Sequence, residues 1–369
     1  MKYSIIIPVY NRPDEVDELL QSLTQQTFRD MEVIIVEDGS SQPCESVVHK
    51  YAGKLQLRYY TKENSGPGPT RNFGAEHSQG EYLIFLDSDC VLPPGFLQAV
   101  EEELSTLNSQ LSTFIDAWGG PDLAHECFTP VQKAISYSMT SFLTTGGIRG
   151  GKMQMDKRFY PRSFNLGIRS SLFRQLGGFS SMRFGEDIDL SLRIYESGAN
   201  CRLFTEAWVW HKRRTDFRKF FKQVHNSGIA RINLMKRHPG SLKLVHLLPA
   251  VFTIGVFLLL LLSLTGLVFT GFGLFVGFFG GNGCNMGLVV AFFGAALMIL
   301  ALLPLLLFSL IVFIDSSIRN KSMRIGLLSV WASFIQLIGY GTGFLRAWWL
   351  RCLCGRNEEL QAFKNSFYK

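Results

Sequence analysis

The sequence predicts an α/β fold, with a mostly parallel, twisted sheet flanked by helices, followed by membrane-spanning helices. In the first half, short runs of large apolar residues alternate with amphipathic helical patterns, which is typical of a parallel sheet joined by right-handed crossovers. In the second half, Leu244 to Ile314 contains no Asp, Glu, Lys or Arg. An uncharged apolar run of that length is long enough for membrane spans, which need about 20 residues each.

The strand and helix signals follow one another along residues 1–215. Apolar runs bounded by turn residues predict strands at Ser4–Val9, Glu32–Val36, Leu55–Tyr60, Tyr82–Leu86 and Phe164–Ile168. Helical spacing and start signals predict helices at Asp14–Gln26, Thr70–Ser78, Val131–Leu143 and Asp187–Ser197. Most of these strands end in polar or small residues, which predicts a ligand site at that edge of the sheet.

The second half divides into a basic segment and three apolar blocks. Arg202 to Lys243 carries eleven Lys and Arg residues against two acids, and its apolar spacing at 216–243 predicts an amphipathic helix at the membrane surface. The blocks near 244–269, 287–314 and 325–350 form the predicted membrane region, 244–350, and 351–369 is a basic tail. Three crossings would place this basic tail outside, against the positive-inside rule. Either the third block is interfacial or re-entrant, or the charge rule is overridden here.

Composition and charge indicate where the protein is located and what its basic residues bind. The net charge of +7 is concentrated beside the apolar blocks, which favours anionic lipid headgroups over nucleic acid as the partner of the basic residues. The seven cysteines contain no C-x-x-C pair, which favours reduced thiols in a cytosol-facing domain. No signal-peptide core precedes the first strand. We therefore expect an integral protein of a bacterial inner membrane with a cytoplasmic catalytic domain.

The candidate chemistry is clearest at Asp87-Ser88-Asp89, which follows five large apolar residues. In extended chain, Asp87 and Asp89 project to the same side and can converge on one hard cation. A divalent ion held by carboxylates, with phosphate oxygens completing its shell, is a common way to bind a nucleotide diphosphate. An ordinary turn is the alternative, since Asp and Ser favour turns.

An ordered set of motifs covering residues 3–215 resembles family 2 glycosyltransferases, which are inverting enzymes with the GT-A fold that use nucleotide-diphosphate sugars. Four motifs accompany Asp87-Ser88-Asp89: Ser4–Asn11, Val33–Ser40, Arg71–Gly74 and Gly185–Asp187. One departure is Glu37, where the family more often has Asp. The resemblance implies that residues 1–215 are the catalytic domain and that a divalent cation, Mn²⁺ or Mg²⁺, is the cofactor.

The resemblance also implies roles on the donor side. Asp38 would accept a hydrogen bond from the base, a uracil or a guanine, and Arg71 would face phosphate; an Asx-turn and a surface salt bridge are the alternatives. Asp89 would bind the metal, with Asp87 shared between metal and donor and His211 as a third ligand; a packed histidine is the alternative. The complete donor set is Pro8, Tyr10, Asn11, Glu37, Asp38, Gly66, Arg71, Asp87 and Ser88.

On the acceptor side, Asp187 matches the family's base position and Glu186 would orient the base or the acceptor. Inversion by one in-line displacement requires a group that takes the proton of the acceptor hydroxyl. Acids at a helix N-terminus, which the helix dipole favours, are the structural alternative. Further acceptor-side candidates are Trp118, Gly119, Arg162 and Asn165, for which core packing and loop structure are the alternatives.

Several functions compete with single sugar transfer. A processive polysaccharide synthase would carry Q-x-x-R-W after the base motif, where this chain reads Phe221–Asn226. A sugar nucleotidyltransferase would show a Gly-rich, basic phosphate loop after the first strand, and a transporter would show charges in its apolar blocks. A glycosidase does not need a nucleotide-binding site at the edge of the sheet. We therefore expect non-processive transfer from a UDP-sugar, or a GDP- or dTDP-sugar, to a lipid-linked (polyprenyl-type) or other membrane-associated acceptor.

Overall fold

The computed structural model describes residues 1–110, 114–123, 128–146, 159–212, 215–279 and 284–360. Its strands are β1 (Tyr3–Val9), β2 (Met31–Asp38), β3 (Leu57–Lys62), β4 (Tyr82–Leu86), β5 (Cys90–Val91), β6 (Ala117–Gly119), β7 (Asp122–Leu123), β8 (Asn165–Arg169), β9 (Cys201–Leu203) and β10 (Val209–His211). Its helices are α1 (Pro13–Thr24), α2 (Glu45–His49), α3 (Pro67–Glu76), α4 (Phe96–Gln110), α5 (Pro130–Thr140), α6 (Phe142–Thr145), α7 (Ser170–Gln175), α8 (Glu186–Glu196), α9 (Phe217–Arg237), α10 (Leu248–Phe279), α11 (Cys284–Asn320) and α12 (Met323–Trp348).

Within the described residues, the main sheet has seven strands in the order β3-β2-β1-β4-β8-β6-β9. The first four are parallel to one another, whereas β8 runs antiparallel to both β4 and β6. The predicted mostly parallel α/β fold is therefore confirmed. Because β1, β2 and β4 are parallel neighbours, their carboxyl ends meet at one edge of the sheet.

The core lies on both faces of this sheet. Ile5 and Ile7 are fully buried in a cluster with the apolar face of α1, while Ile6 is fully buried in a second cluster on the opposite face. Successive side chains of a strand point to opposite faces, so a strand covered on both sides must be apolar throughout. This requirement explains the continuous apolar run in β1.

The predicted helix Val131–Leu143 is two helices, α5 and α6, separated by Ser141. The backbone of Ser141 is extended (φ −66°, ψ 139°), and its side chain accepts a hydrogen bond from the amide of Leu143. A serine that caps a new helix competes with continuation of the previous one. The helical spacing alone did not reveal this break.

The helix α9 exists as predicted, but its apolar side packs on protein rather than on lipid. Phe220 and Val224 are buried with residues of α5 and α12, and Ile229 and Ile232 are buried with residues of α10 and α12. At its end, His238 Nε2 lies 2.9 Å from Asp189 Oδ1 in α8. The helix therefore joins the α/β domain to the apolar helices.

The apolar helices α10 and α11 form a closely packed antiparallel hairpin. A Cβ on Gly266 would lie 2.6 Å from the carbonyl oxygen of Gly294, so the two backbones approach more closely than a larger side chain at this position would allow. Phe252, near the start of α10, contacts Phe308 in α11. Together with α12, these helices are long and apolar enough to cross a membrane.

The third apolar helix, α12, lies across the base of this hairpin instead of running alongside it. Gly326 packs on Phe313 and Ser317 at the end of α11, and Gly341 packs on Pro249 and Thr253 at the start of α10. Both contacts lie at the base of the hairpin, where α10 begins and α11 ends. Beyond α12 the chain turns back to α9, where the guanidinium of Arg351 donates a 2.8 Å hydrogen bond to Asn233.

Candidate active site

A cavity of about 370 Å³ opens at the carboxyl ends of β1, β2 and β4 and continues to α9, α10 and α12. From the sheet edge it is lined by Pro8, Tyr10, Arg12, Asp38, Arg71, Asp87, Ser88 and Asp89. From the first turn of α8 it is lined by Glu186 and Asp187. The sequence motifs, which are up to 180 residues apart, therefore meet in one place.

Arg71 connects two of the predicted acids. One terminal nitrogen of its guanidinium lies 2.6 Å from Asp87 Oδ1 and the other lies 3.1 Å from Glu186 Oε1. The side chain of Arg71 is only 4% exposed, so these charges interact in a poorly hydrated environment. Burial, reinforced by the charge of Asp187, raises the pKa of Glu186 to about 7, although Arg71 opposes the rise.

The chain turns at Asp87–Cys90, where the amide of Cys90 donates to the carbonyl of Asp87, so this segment is not extended as predicted. The two carboxylates nevertheless converge on His211, whose Nε2 lies 3.2 Å from Asp89 and 3.8 Å from Asp87. The strand β10 sets this position because it pairs with β5, His211 opposite Cys90. On its other side, Asp89 Oδ2 lies 2.7 Å from the guanidinium of Arg12.

Two carboxylates and one imidazole are a suitable donor set for Mn²⁺ or Mg²⁺. Asp122, in β7, lies 3.8 Å from His211 Nδ1, in the place of the outer carboxylate that often orients a ligating histidine. Cys90 also has its sulfur within 4.8 Å of the Asp89 and His211 donor atoms. Burial raises the pKa of the Cys90 thiol well above its usual value, so this thiol is protonated while no metal ion is bound.

Asp187 lies in the first turn of α8, where its Oδ1 accepts from the amide of Ile188 and its Oδ2 from Arg162 at 3.0 Å. Arg162 lines the same cavity. The side chain of Asp187 keeps 17% of its surface exposed. The predicted base and one predicted acceptor-side residue are therefore in contact at the cavity wall.

Asp38 lies at the end of β2 and lines the cavity, with its carboxylate fixed by the loop before α3. It accepts hydrogen bonds from Lys62 Nζ and from the amides of Ser65 and Gly66, each at 2.9 Å. Gly66 has a φ of 94°, a conformation that glycine adopts at little cost. The predicted contact of Asp38 with a nucleobase stays a prediction.

The turn after β1 is tied to the turn after β2. Asn11 has a backbone φ of 53°. Its side-chain oxygen accepts a 2.9 Å hydrogen bond from the amide of Gln42, and its backbone amide donates a 2.8 Å hydrogen bond to the hydroxyl of Ser40. Asn tolerates this left-handed conformation better than most residues. Pro8 and Tyr10 reach the cavity wall, while Asn11 shapes the turn that carries Tyr10 and Arg12.

Glu37 is not among the described residues that line the cavity. Its carboxylate accepts from the amide and thiol of Cys44 and from the hydroxyl of Tyr59, and the residue is 2% exposed. Neighbouring strand residues point to opposite faces, so Asp38 faces the cavity while Glu37 anchors the loop before α2.

Three predicted acceptor-side residues likewise lie outside the cavity wall in the described part of the chain. Trp118 is fully buried and stacks on Phe204 at a centroid distance of 5.4 Å. The amide nitrogen of Asn165 donates to the carbonyl of Ala207, and Gly119 packs against Asn165. Their surroundings are those of core residues.

Sequence reasoning missed several side chains that line the cavity. Arg12 was adjacent to a recognised turn but carried no signal of its own. Asp122, which lies near His211 and is not among the described lining residues, belongs to a strand of two residues. Other missed lining residues include Arg183, in the loop before α8, and four residues of the predicted interface segment and membrane region: Arg231, His246, Gln336 and Tyr340. Only a tertiary structure brings them to the site.

Part of the chain is similar to known glycosyltransferases. The model of the family "Glycosyl transferase family 2" matches residues 4–120. A glycosyltransferase of Haemophilus influenzae is 34% identical over 202 residues, covering 52% of this chain and 62% of that protein. The poly(ribitol-phosphate) β-N-acetylglucosaminyltransferase TarS of Staphylococcus aureus is 40% identical over 93 residues, covering 24% of this chain and 16% of TarS. The chain thus spans less than two thirds of these relatives.

Among solved structures, the mannosyltransferase PcManGT of Pyrobaculum calidifontis, in complex with GDP-Man and Mn²⁺, matches with a TM-score of 0.52. The match has 14% identity and covers 93% of this chain and 87% of that one, so it concerns the fold alone. Residues 4–120 therefore match the glycosyl transferase family 2 model within a mostly parallel α/β fold of the GT-A type, and three helices that are long and apolar enough to cross a membrane follow.

Proposed function

We propose that the chain transfers a sugar from a nucleotide-diphosphate donor to a membrane-associated acceptor, with inversion at the anomeric carbon and one sugar per reaction. The observation that carries this proposal is the single cavity that connects the carboxylates at the sheet edge with α9, α10 and α12. A donor at the sheet edge and an acceptor entering between the apolar helices would meet beside Asp187. A lipid-linked acceptor of the polyprenyl type suits this path.

On the donor side, Asp38, Pro8 and Tyr10 would contact the nucleoside. Asp89, Asp87 and His211 would hold Mn²⁺ or Mg²⁺, which supplies positive charge to the departing diphosphate when bound. The relative TarS is named as an N-acetylglucosaminyltransferase and PcManGT was solved with GDP-Man and Mn²⁺, so both UDP- and GDP-sugars are reasonable donors. We favour a UDP-sugar.

On the acceptor side, the carboxylate of Asp187 would take the proton of the acceptor hydroxyl. The new bond from the acceptor oxygen to the anomeric carbon forms as the bond from that carbon to the diphosphate breaks. Arg162 holds the Asp187 carboxylate in the cavity wall, and Glu186 fixes Arg71, which in turn orients Asp87. Asp187 is thus the proposed catalytic base and Glu186 a positioning residue.

The proposed location is a bacterial inner membrane, with the α/β domain (1–215) in the cytoplasm. The hairpin of α10 and α11 would cross the bilayer twice. Arg319, Lys321 and Arg324, at the join between α11 and α12, would remain on the cytoplasmic side. The segment 216–243 links the two parts, 244–350 is the membrane region, and 351–369 is the basic tail.

A binding screen with the purified full chain tests the proposal. UDP-, GDP- and dTDP-sugars are titrated with Mn²⁺ or Mg²⁺, and the bound donor is then offered extracted membrane lipids. Asp187→Asn should bind that donor as the wild type does, yet transfer its sugar 10²- to 10⁴-fold more slowly, roughly the contribution of a general base. Transfer at the wild-type rate by Asp187→Asn would refute the assignment of the base.

A further inference from the structure

The acids that line the cavity are confined to one of its ends, where Arg12 and Arg71 pair with them. The acids Asp38, Asp87, Asp89, Glu186 and Asp187 lie at the sheet edge and the start of α8. The part between α9, α10 and α12 is lined by basic side chains instead, and no Asp or Glu is among the described residues that line it. These basic residues are Arg231, on α9, and His246, which follows α9 in the chain.

Arg231 is the central cation of this second part. It lies on α9 between two lining residues, Ala230 and Leu234. Its Nε is buried without a hydrogen-bond partner, and within the described ranges no carboxylate lies at ion-pair distance from its guanidinium. The positive charges of two further residues, Arg162 and Lys243, act together with that of Arg231 on the imidazole of His246. Like charges grouped at half-buried positions repel one another, and an anion bound among them would relieve this repulsion.

The same part of the cavity is apolar on its membrane side. Leu234, Val245 and Pro249 line it, and α12 contributes Tyr340 and Gln336, whose Oε1 is buried without a partner among the described residues. A small hydrophilic anion has no apolar group that could cover these apolar surfaces. An anionic group attached to a hydrocarbon chain would match both surfaces.

We propose that this end of the cavity binds the phosphate or diphosphate group of an amphiphilic acceptor, with Arg231 as the principal contact. The hydrocarbon chain leaves toward the bilayer between α10 and α12. Arg162 donates to the Asp187 carboxylate and lines the same cavity as Arg231, so it connects the anion site to the proposed base. The role of the ligand as acceptor rests on the proposed transferase function, whereas the anion site itself does not.

The test measures binding to the full chain in detergent, using farnesyl phosphate as the probe, with farnesol and inorganic phosphate as the comparison ligands. Arg231→Gln should weaken farnesyl phosphate binding at least tenfold, and Arg231→Lys should restore part of it. The control is Arg218→Gln, because Arg218 is an exposed cation on the same helix, and it should bind as the wild type does. Binding of the nucleotide-sugar should be unchanged in all three variants.

Each outcome has a distinct meaning. Equal farnesyl phosphate affinity in Arg231→Gln and the wild type would overturn the site. Equal affinity for inorganic phosphate and farnesyl phosphate would support an anion site but overturn the amphiphile. Equal affinity for farnesol and farnesyl phosphate would overturn the anion site. If farnesyl phosphate binds in an Arg231-dependent way but no nucleotide-sugar binds, the proposed transferase function fails while the anion site stands.

Discussion

The guanidinium of Arg12 lies 2.7 Å from Asp89 Oδ2, on the carboxylate that the proposed metal site requires. The opposite oxygen of Asp89 lies 3.2 Å from His211 Nε2. The side chains of Arg12 and Asp89 are only 27% and 13% exposed, so their attraction is less screened than that of a surface pair. Arg12 and a divalent cation therefore compete for the same carboxylate.

This competition predicts that Arg12→Gln binds Mn²⁺ more tightly than the wild type when no nucleotide is present. Removing the fixed positive charge beside Asp89 eliminates both the ion pair with Asp89 and the repulsion between that charge and the metal ion. We expect the dissociation constant for Mn²⁺ to fall about three- to tenfold, since a partly exposed pair contributes on the order of 1 kcal/mol. Electron paramagnetic resonance of free Mn²⁺ measures this change directly.

Arg29→Gln is the matched control, because Arg29 follows the same helix, α1, and its guanidinium contacts a backbone carbonyl of Thr24. Its Mn²⁺ affinity should equal that of the wild type. An unchanged Mn²⁺ affinity in Arg12→Gln would mean that Arg12 does not hinder the metal site.

The second prediction concerns Asp122, which lies 3.8 Å from His211 Nδ1. A carboxylate this close to the far nitrogen, although beyond hydrogen-bond distance, raises the basicity of the ligating nitrogen through its negative charge. Asp122→Asn should therefore weaken Mn²⁺ binding about 10- to 100-fold, and His211→Ala should weaken it at least as much. Isothermal titration in the absence of nucleotide gives both values, and full affinity in His211→Ala would exclude this residue as a ligand.

The sequence predicted the donor side of this site better than its metal side. Asp38 and Asp87 follow long buried strands whose apolar runs are unmistakable, so the sheet edge was predictable from local pattern. His211 and Asp122 meet through β5, β7 and β10, which have two or three residues each. Strands that short show no periodicity, and only their pairing brings Asp122 to His211.

A second limit of the sequence is that an amphipathic pattern does not specify what covers the apolar side. The spacing of Phe220, Val224, Ile229 and Ile232 correctly predicted a helix, but its partners are α5, α10 and α12 rather than lipid. The choice between these partners depends on where α12 lies, which the apolar composition of 325–350 does not determine.

The third prediction follows from the raised pKa of Glu186, about 7 in the folded chain against an ordinary 4.5. As the pH rises from about 4.5 to about 7, the unfolded chain releases this proton first, so the folded state loses stability over that window. Glu186→Gln removes the titrating group. We therefore expect the Tm of Glu186→Gln, taken relative to that of the wild type, to be about 2–6 °C higher at pH 8 than at pH 5.

Scanning fluorimetry at the two pH values, at constant ionic strength, measures this difference. Glu63→Gln provides the control, because Glu63 is exposed to solvent and its substitution should shift the Tm equally at both pH values. A Tm difference for Glu186→Gln that stays constant or falls with pH would show that Glu186 is ionised throughout the range.

The fourth prediction is that the residues after α12 lie on the same side of the membrane as the α/β domain. The guanidinium of Arg351 donates to Asn233 at 2.8 Å, and Arg237 lies 3.0 Å from Glu359, so this segment is bound to α9. Because α9 is bound to α8 through His238 and Asp189, an odd number of crossings is incompatible with these contacts. Only the α10–α11 hairpin is then expected to cross, with α12 at the interface.

Two single-cysteine variants, retaining either Cys354 or Cys284, distinguish two crossings from three. Cys354 is exposed just after α12, and Cys284 begins α11 at the far end of the hairpin. A membrane-impermeant maleimide should label Cys354 in inverted vesicles and Cys284 in right-side-out vesicles. Labelling of both cysteines from the side opposite the α/β domain would establish three crossings and contradict the contacts of Arg351 and Arg237, since a segment bound to α9 cannot lie beyond the bilayer.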